Sequence, residues 1–374
     1  MPTVADIFRE YGDGYMARFG SRMLPSHRRA LQDIVDCRTP ALGGQLRGCD
    51  DCGQWHYVYH SCRNRACVQC HGEQTQRWMT ARAADLLPVV YFHVVFTLPQ
   101  ELRELARSHQ EAVLSALMTA AVAALQKLAA DPRYAGGALG VLAVLQTWTR
   151  ALIWHPHVHS LVPGLALLPD GRRRVLSGGF LVPVMALSPI FRAKFAEELR
   201  RVLPQLKLPG AVWRKRWVVF SRPCLEGPGN VLRYLAAYVF RGPLSDRRIV
   251  AVRDGRVRIQ YWDTETAEPR TVNLGTDEFI RRYLQHTLMP GFHRVRYYGF
   301  WAPGDHPMLR RLQAQCTLTG LGEAAAAAVV EPAAPERLAP RCPHCGSLQV
   351  RALARWWRGQ TPPNLARGPP EAAP

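Results

Sequence analysis

Five cysteines fall within 22 residues, as Cys49-x2-Cys52, Cys62 and Cys67-x2-Cys70. From Cys37 to Cys70 the chain is rich in Cys, Gly and polar residues and has few aliphatic runs. Such a stretch cannot bury enough apolar surface to make its own core, so a metal must hold it. Each CxxC turns two thiolates toward one point, and two such knuckles complete a tetrahedron. Fourteen residues separate the two pairs. The spacing predicts one structural Zn2+ on Cys49, Cys52, Cys67 and Cys70. Cys62 is surplus to that tetrad. It is a candidate to replace a knuckle cysteine or to join a second site, alongside Cys37, His56, His60 and His71. Of these, His60 and His71 read as solvated polar residues. Four sulfurs leave no open position, so the site is structural rather than catalytic. The isolated Cys342-x2-Cys345, with His344 between, can supply half of a zinc site completed elsewhere. Cys224 and Cys316 read as core thiols.

The chain of 374 residues carries 48 basic against 29 acidic residues, a formal charge of +19. A surface of that sign gains free energy by displacing counterions from phosphates, which points to a polyanionic partner. The basic residues are nearly all Arg, with Lys only at 127, 194, 207 and 215. A GC-rich genome explains Arg over Lys but not basic over acidic. Arg63, Arg65 and Arg77, around the cysteine module, are candidate phosphate contacts. Met1–Gly20 is polar and mixed in charge, without the apolar region of a secretory signal. No apolar run reaches the roughly 18–20 residues of a spanning helix. The expectation is a cytoplasmic protein with no membrane association. Cysteines in such a reducing compartment serve metals rather than disulfides.

Two patterns in the middle of the chain carry chemistry. In Trp154-His155-Pro156-His157-Val158-His159 the stretch is β-like, and alternate residues share a face. Three imidazoles on one side of a strand are hard to satisfy as ordinary core residues. They predict a divalent cation site on His157 and His159, with His155, Gln146 and His93 as alternatives for the third ligand. Histidine flanking an apolar residue is the HUH pattern. Its metal, Mg2+ or Mn2+, would polarise a scissile phosphate. Downstream, Tyr234 and Tyr238 sit four apart in a helical segment, both hydroxyls on one face. A tyrosine oxygen that attacks a DNA phosphate forms a 5′-phosphotyrosine and frees a 3′-OH. Two tyrosines allow two successive transesterifications. The bond energy stays in the phosphodiester, so no nucleotide cofactor is required, and no phosphate-binding Gly-rich loop is present. Arg233 and Arg241 are candidates to hold flanking phosphates.

Coarse patterning completes the picture. Residues 1–36 read as amphipathic helix, with Ile7, Phe8, Tyr11, Tyr15 and Phe19 at helical spacing, and 71–87 as a second helix. Strands are expected at Tyr91–Leu98, Val141–Thr149, Ile153–Leu161, Trp213–Ser221 and Val250–Trp262. Helices are expected over 100–130, Asn230–Phe240 and Thr276–His286. After about residue 322 comes an Ala/Pro linker, then CPHCG, then a Pro-rich tail expected to be disordered. The expected fold class is α+β: an HUH endonuclease core of antiparallel sheet and packed helices, preceded by a small zinc-binding domain. The expected boundaries are 1–88 for the helical and zinc-binding domain, 89–322 for the catalytic domain and 323–374 for linker, CPHCG and tail.

These stretches together resemble a known family. CRTPALGG at 37–44, CDDCG at 49–53, SCRNRACVQC at 61–70, HVVFTLP at 93–99, HPHVH at 155–159, YLAAYVFR at 234–241 and EFIRRYLQHTLMPGFHRVRYYG at 278–299 occur in the order found in insertion sequence 91 family rolling-circle transposases. These belong to the HUH superfamily with relaxases and replication initiators. The resemblance spans about residues 5–320. It implies a zinc-binding N-terminal domain and tyrosine-mediated cleavage of single-stranded DNA at mobile-element ends. His157 and His159 match the family's metal pair, and Tyr234 and Tyr238 its tyrosines. Ala66 and Val68 depart from the His and Pro common within the second knuckle. Gln146 stands where many members have His, and an amide oxygen can also coordinate Mg2+ or Mn2+. The competing readings are a relaxase or replication initiator of the same chemistry, a non-catalytic zinc-dependent DNA-binding protein, and a His-metal hydrolase. The first would bring a helicase or primase region. The second would show broken HUH or tyrosine positions. The third leaves the charge and the cysteine module without a role.

Overall fold

Pro25 divides the first apolar stripe. Proline lacks the amide that a continuing helix needs and suits the first turn of a new one. In the computed structural model, residues 1–36 therefore form two helices, α1 (Val4–Phe19) and α2 (Pro25–Asp36), instead of one. Thr3 caps α1 in a reciprocal box with Asp6. Ile7, Phe8 and Tyr15 are buried on its inner face. The structure describes residues 1–176, 181–224, 239, 242–263, 266–318 and 341–363.

Strands β1 (Gly43–Cys49) and β2 (Trp55–Tyr59) form a hairpin, followed by α3 (His71–Ala83). The chain then enters a larger sheet through β3 (Tyr91–Thr97). Helices α4 (Arg103–Ser108) and α5 (Gln110–Ala129) follow, then a two-residue β4 (Ala138–Leu139). Next come β5 (Val141–Trp148), β6 (Trp154–Pro163), β7 (Leu165–Leu167) and β8 (Arg173–Val175). Helices α6 (Val184–Val202) and α7 (Ala211–Arg214) lead to β9 (Val219–Cys224). The last third holds β10 (Ile249–Arg253), β11 (Arg256–Asp263), β12 (Glu268–Gly275), α8 (Thr276–Leu284), β13 (Val295–Tyr298), α9 (His306–Leu318) and β14 (Val350–Trp357).

The architecture is α+β with antiparallel sheets, as the alternation of strand and helix patterns implies. The central sheet has five strands in the order β13-β5-β6-β3-β9. One face carries Phe92, Val94, Phe96, Trp154 and Val158 into a core shared with α5 and α6. The opposite face carries Tyr91, Leu142, Val144 and Leu161 into a smaller cluster with α9. Helix α5 is long and apolar enough to cross a membrane by composition, yet two thirds of its apolar stretch is buried in this core. A third cluster joins α1 and α2 to α8 and to the sheet β10-β11-β12. The N-terminal helices are thus built onto the far end of the chain.

Three further elements differ from the sequence expectation. Val250–Trp262 is a hairpin rather than one strand, because Asp254 and Gly255 both take positive φ (51° and 66°). Consecutive positive φ at Asp-Gly is the turn that matches strand twist. Trp213–Ser221 begins as the short helix α7, and the strand starts only at Val219. Finally, β14 lies in the segment assigned to linker and tail. It pairs with β1 over seven residues, from Gly43 with Trp357 to Cys49 with Val350, and the small sheet runs β14-β1-β2. Residues 364–374, the rest of the expected tail, lie outside the described residues.

Candidate active site and metal centres

Strand β6 is hydrogen-bonded on both sides, to β5 and to β3, which fixes its register. Trp154, Val158 and Val162 are buried against α5 and α6, so His155, His157 and His159 are presented on the other face. His159 stands opposite Val95 and Val144, and His157 opposite Thr97 and Gln146. His93 and Gln146 project on the same face as these imidazoles. His93 Nε2 lies 2.8 Å from His159 Nδ1, their rings stacked within 8°. His159 Nε2 lies 3.2 Å from Gln146 Oε1.

These donors suit a divalent cation. His157 Nδ1 donates to the His155 carbonyl at 2.7 Å, which fixes the tautomer and leaves Nε2 as a lone-pair donor. The 3.2 Å between His159 Nε2 and Gln146 Oε1 is close to the ~3 Å between adjacent ligands of an octahedral ion with ~2.1 Å bonds. Gln146 Nε2 is buried with no hydrogen-bond partner. Metal binding needs neutral imidazoles, and this face keeps them so. Burial, with Arg222 and His157 nearby, brings His93 down to about 4. Burial, then His157 and Arg103, brings His155 to about 4 as well. Burial lowers His157 too, and lowers His159 further with His157 and His93 beside it. His155 is drawn aside: the Arg103 guanidinium donates to its Nδ1 at 2.7 Å. The sequence carries His155 forward as third ligand, with Gln146 and His93 as alternatives. The geometry sets Gln146 and His93 directly around His159.

Tyr234, Tyr238, Arg233 and Arg241 lie outside the described residues. Val239, which follows Tyr238 in sequence, is described. It is buried in the cluster on the histidine-bearing face of the sheet, and Arg294 donates to its carbonyl.

The cysteines sort differently from the single tetrad read from spacing. One group is Cys37, Cys62, Cys67 and Cys70; the other is Cys49, Cys52, Cys342 and Cys345. Within each, all four Sγ atoms lie within 4.8 Å of one another. The assignment of Cys49, Cys52, Cys67 and Cys70 to one ion is therefore corrected. The β1–β2 hairpin is the reason. Cys49 and Cys52 sit at its tip, while Cys37 and the 62–70 loop sit at its base. Its five paired residues separate the two ends by roughly 15 Å. Cys62 is a full member of its group, 3.4 Å from Cys70, and Cys37 at the end of α2 completes it, 3.3 Å from Cys70. Cys67 is pushed up by Cys37, Cys62 and Cys70, and Cys70 is pulled down by hydrogen bonds with Cys37, Cys62 and Cys67. Four crowded thiols cannot all ionise alone, and a divalent cation relieves that repulsion. None of the ten cysteines is disulfide-bonded.

Between the first cysteine group and the central sheet lies a cleft of about 360 Å³, lined among others by Arg29, Arg63, Arg65, Arg294 and Trp148. Arg63 and Arg65 are exposed, and Arg65 donates to the Phe292 carbonyl at 2.6 Å. Arg77 is exposed on α3, outside the residues that line this cleft.

Residues 7–98 match a family described as "Transposase zinc-binding domain", and residues 140–307 one described as "Putative transposase". The chain is 40% identical over 319 residues to "Putative transposase y4qJ" of Sinorhizobium fredii, covering 80% of each chain. It is 28% identical over 296 residues to "Transposase for insertion sequence element IS801" of Pseudomonas savastanoi pv. phaseolicola, covering 72% of this chain and 68% of the relative. With an antiparallel α+β core, a cysteine-rich N-terminal domain and these relatives, the chain belongs to the insertion sequence 91 family of transposases.

Proposed function

We propose that this transposase cuts and rejoins single-stranded DNA at the ends of its mobile element through a tyrosine–DNA intermediate, by rolling-circle chemistry. The observation that carries the reading is the face of β6, where His157 and His159 alternate beside Gln146 and His93. His157 and His159, with Gln146 as third donor, would hold Mg2+ or Mn2+, which when bound polarises the scissile phosphate. His93 acts through His159, holding its ring in place from behind.

Tyr234 and Tyr238 are the proposed nucleophiles. The attacking phenol loses its proton as its oxygen bonds to phosphorus. The P–O3′ bond breaks and the 3′ oxygen gains a proton. Rejoining is the same exchange run backwards with an incoming 3′-OH. Because one phosphodiester replaces another, no nucleotide is consumed. The four-residue spacing supports both tyrosines acting from one helix face. Val239, the residue after Tyr238, is buried on the histidine-bearing face of the sheet, which supports the tyrosines acting at that face. On this reading residues 89–322 carry the chemistry. The helical and zinc-binding segment 1–88 contributes Arg63, Arg65 and Arg77 to the strand, with Arg233 and Arg241 holding flanking phosphates. The site of action is the bacterial cytoplasm, on chromosomal DNA.

The test is a nicking assay with Mn2+ and labelled single-stranded DNA carrying the element's ends, read on denaturing gels. Wild type should form a covalent protein–DNA adduct. Loss of the adduct in His157→Ala and in the Tyr234→Phe/Tyr238→Phe double variant is expected, and the single variants show which tyrosine leads. Tight DNA binding with no adduct under any divalent metal would overturn the reading in favour of a non-catalytic DNA-binding protein.

A further inference from the structure

We infer that Cys49, Cys52, Cys342 and Cys345 bind a second structural zinc ion, which ties the segment 341–357 to the N-terminal hairpin as a split zinc ribbon. Cys342 and Cys345 lie outside both family-matched segments, 7–98 and 140–307.

The sulfur geometry comes first. Cys49 Sγ is 3.6 Å from Cys345 Sγ, and Cys52 Sγ is 3.6 Å from Cys342 Sγ. A tetrahedral zinc with Zn–S bonds of about 2.3 Å places its sulfurs ~3.8 Å apart.

The backbone supplies an independent argument. CDDCG and CPHCG are folded alike. In the first, Cys49 N donates to Gln54 O (3.0 Å) and Gly53 N donates to Cys49 O (2.9 Å). In the second, Cys342 N donates to Ser347 O (2.8 Å) and Gly346 N donates to Cys342 O (2.9 Å). Donors and acceptors occupy the same offsets in both turns. Gly53 and Gly346 occupy the same position with φ of 69° and 78°, a conformation that only glycine adopts without strain. Two turns of this kind, facing each other with paired sulfurs, make the two knuckles of one metal site.

The surroundings hold the knuckles in register. Asp50 N donates to Gln349 O at 2.9 Å, and Arg351 pairs with Asp50 at 2.8 Å. Strand β14 then runs the length of β1. Trp356 is buried, with its edge contacts to Tyr57 and Tyr59 on β2. A side chain at Gly44 would meet its ring at 2.9 Å. A sheet of three short strands buries little apolar surface, so the ion is the element that makes it stable.

The experiment uses the full-length protein. Zinc per chain is measured by plasma mass spectrometry, and protection of the 350–357 amides by hydrogen exchange. Wild type should carry two equivalents. Cys342→Ser/Cys345→Ser and Cys49→Ser/Cys52→Ser should each lose one equivalent, and β14 should lose its protection in both. Cys345→His retains a ligand and should keep the second equivalent, which separates loss of the metal from a general folding failure. An unchanged zinc count in both double variants, with β14 still protected, would overturn the proposal. So would a wild-type protein whose β14 protection survives complete removal of zinc.

Discussion

The Tyr283 hydroxyl donates a 2.6 Å hydrogen bond to the carbonyl of Ala66, a residue 217 positions earlier inside the Cys62–Cys70 loop. Tyr283 is fully buried on α8 and packs edge-on against Phe8 of α1, centroids 5.3 Å apart. One side chain thus joins the cysteine loop, the N-terminal helices and helix α8. Tyr283→Phe keeps the ring but strands the Ala66 carbonyl. The expected loss is about 1–2 kcal/mol, since a buried acceptor without a partner costs roughly that. Urea denaturation would show it as a lower midpoint with an unchanged slope.

His93 offers a test of positioning at the proposed catalytic metal site. It touches His159 rather than any reacting group. His93→Ala should raise the half-saturating Mn2+ concentration for adduct formation by about 10–100-fold. The rate at saturating Mn2+ should fall far less. Titration of Mn2+ against adduct yield separates the two. An equal loss of rate at every metal concentration would show that His93 does not work through metal binding.

Acid should destabilise the fold through His286. Burial holds this imidazole at about 3, well below its ordinary 6.5. It accepts or donates at Thr147 Oγ1 (3.1 Å) and stacks on Trp154. Between those two pH values the unfolded chain binds a proton that the folded chain refuses, so stability rises with pH across that window. Stability contributed by neutral His286 is complete above about 6.5 and is lost progressively as pH falls toward 3. The size is on the order of a few kcal/mol. Comparing melting temperatures of wild type and His286→Gln from pH 7 to pH 4 tests it: the variant should show a shallower decline.

The basic cleft predicts a salt signature. Arg63 and Arg65 line it and are exposed. For single-stranded DNA each phosphate contact adds about 0.7 to the slope of log K against log salt. Arg63→Ala/Arg65→Ala should make that slope shallower by about 1.4 if each arginine meets one phosphate. Fluorescence anisotropy with a labelled oligonucleotide across a salt series measures it directly. An unchanged slope would place the strand elsewhere.

What could be read from sequence was what is local. The strands at 91, 141 and 153 follow from β-branched and aromatic runs. The shared face of His155, His157 and His159 follows from the two-residue period alone. The Asp254-Gly255 turn was also local, a hairpin signal set between two strand-like runs that were read as one. The cysteine partition was not local. Spacing shows which cysteines form a knuckle, but not which knuckle meets which, and here the partner of Cys49–Cys52 is about 300 residues away. A signal was present: CDDCG and CPHCG share a glycine after the second cysteine, the mark of matching knuckles. The Ala/Pro composition ahead of CPHCG obscured the strand that follows it. His93 and Gln146 stood among the alternatives for the third ligand. The resemblance, in which Gln146 stands where many members have His, was the one signal for Gln146; Arg103's hold on His155 is a tertiary contact that no local pattern reveals.

The pairing of β1 with β14 also has a consequence for synthesis. Cys49 meets Val350 in that ladder, about 300 residues later. At the ~5–20 residues per second of a ribosome, the outer edge of β1 waits roughly 15–60 s for its partner. During that interval the nascent chain presents an open strand edge and two uncommitted thiols, Cys49 and Cys52. A polypeptide released early, anywhere before residue 342, would keep that edge and those thiols exposed for as long as it lasted. It would be open to other strands, to stray metals and to proteases, while a chain that extends through β14 closes the gap with that strand.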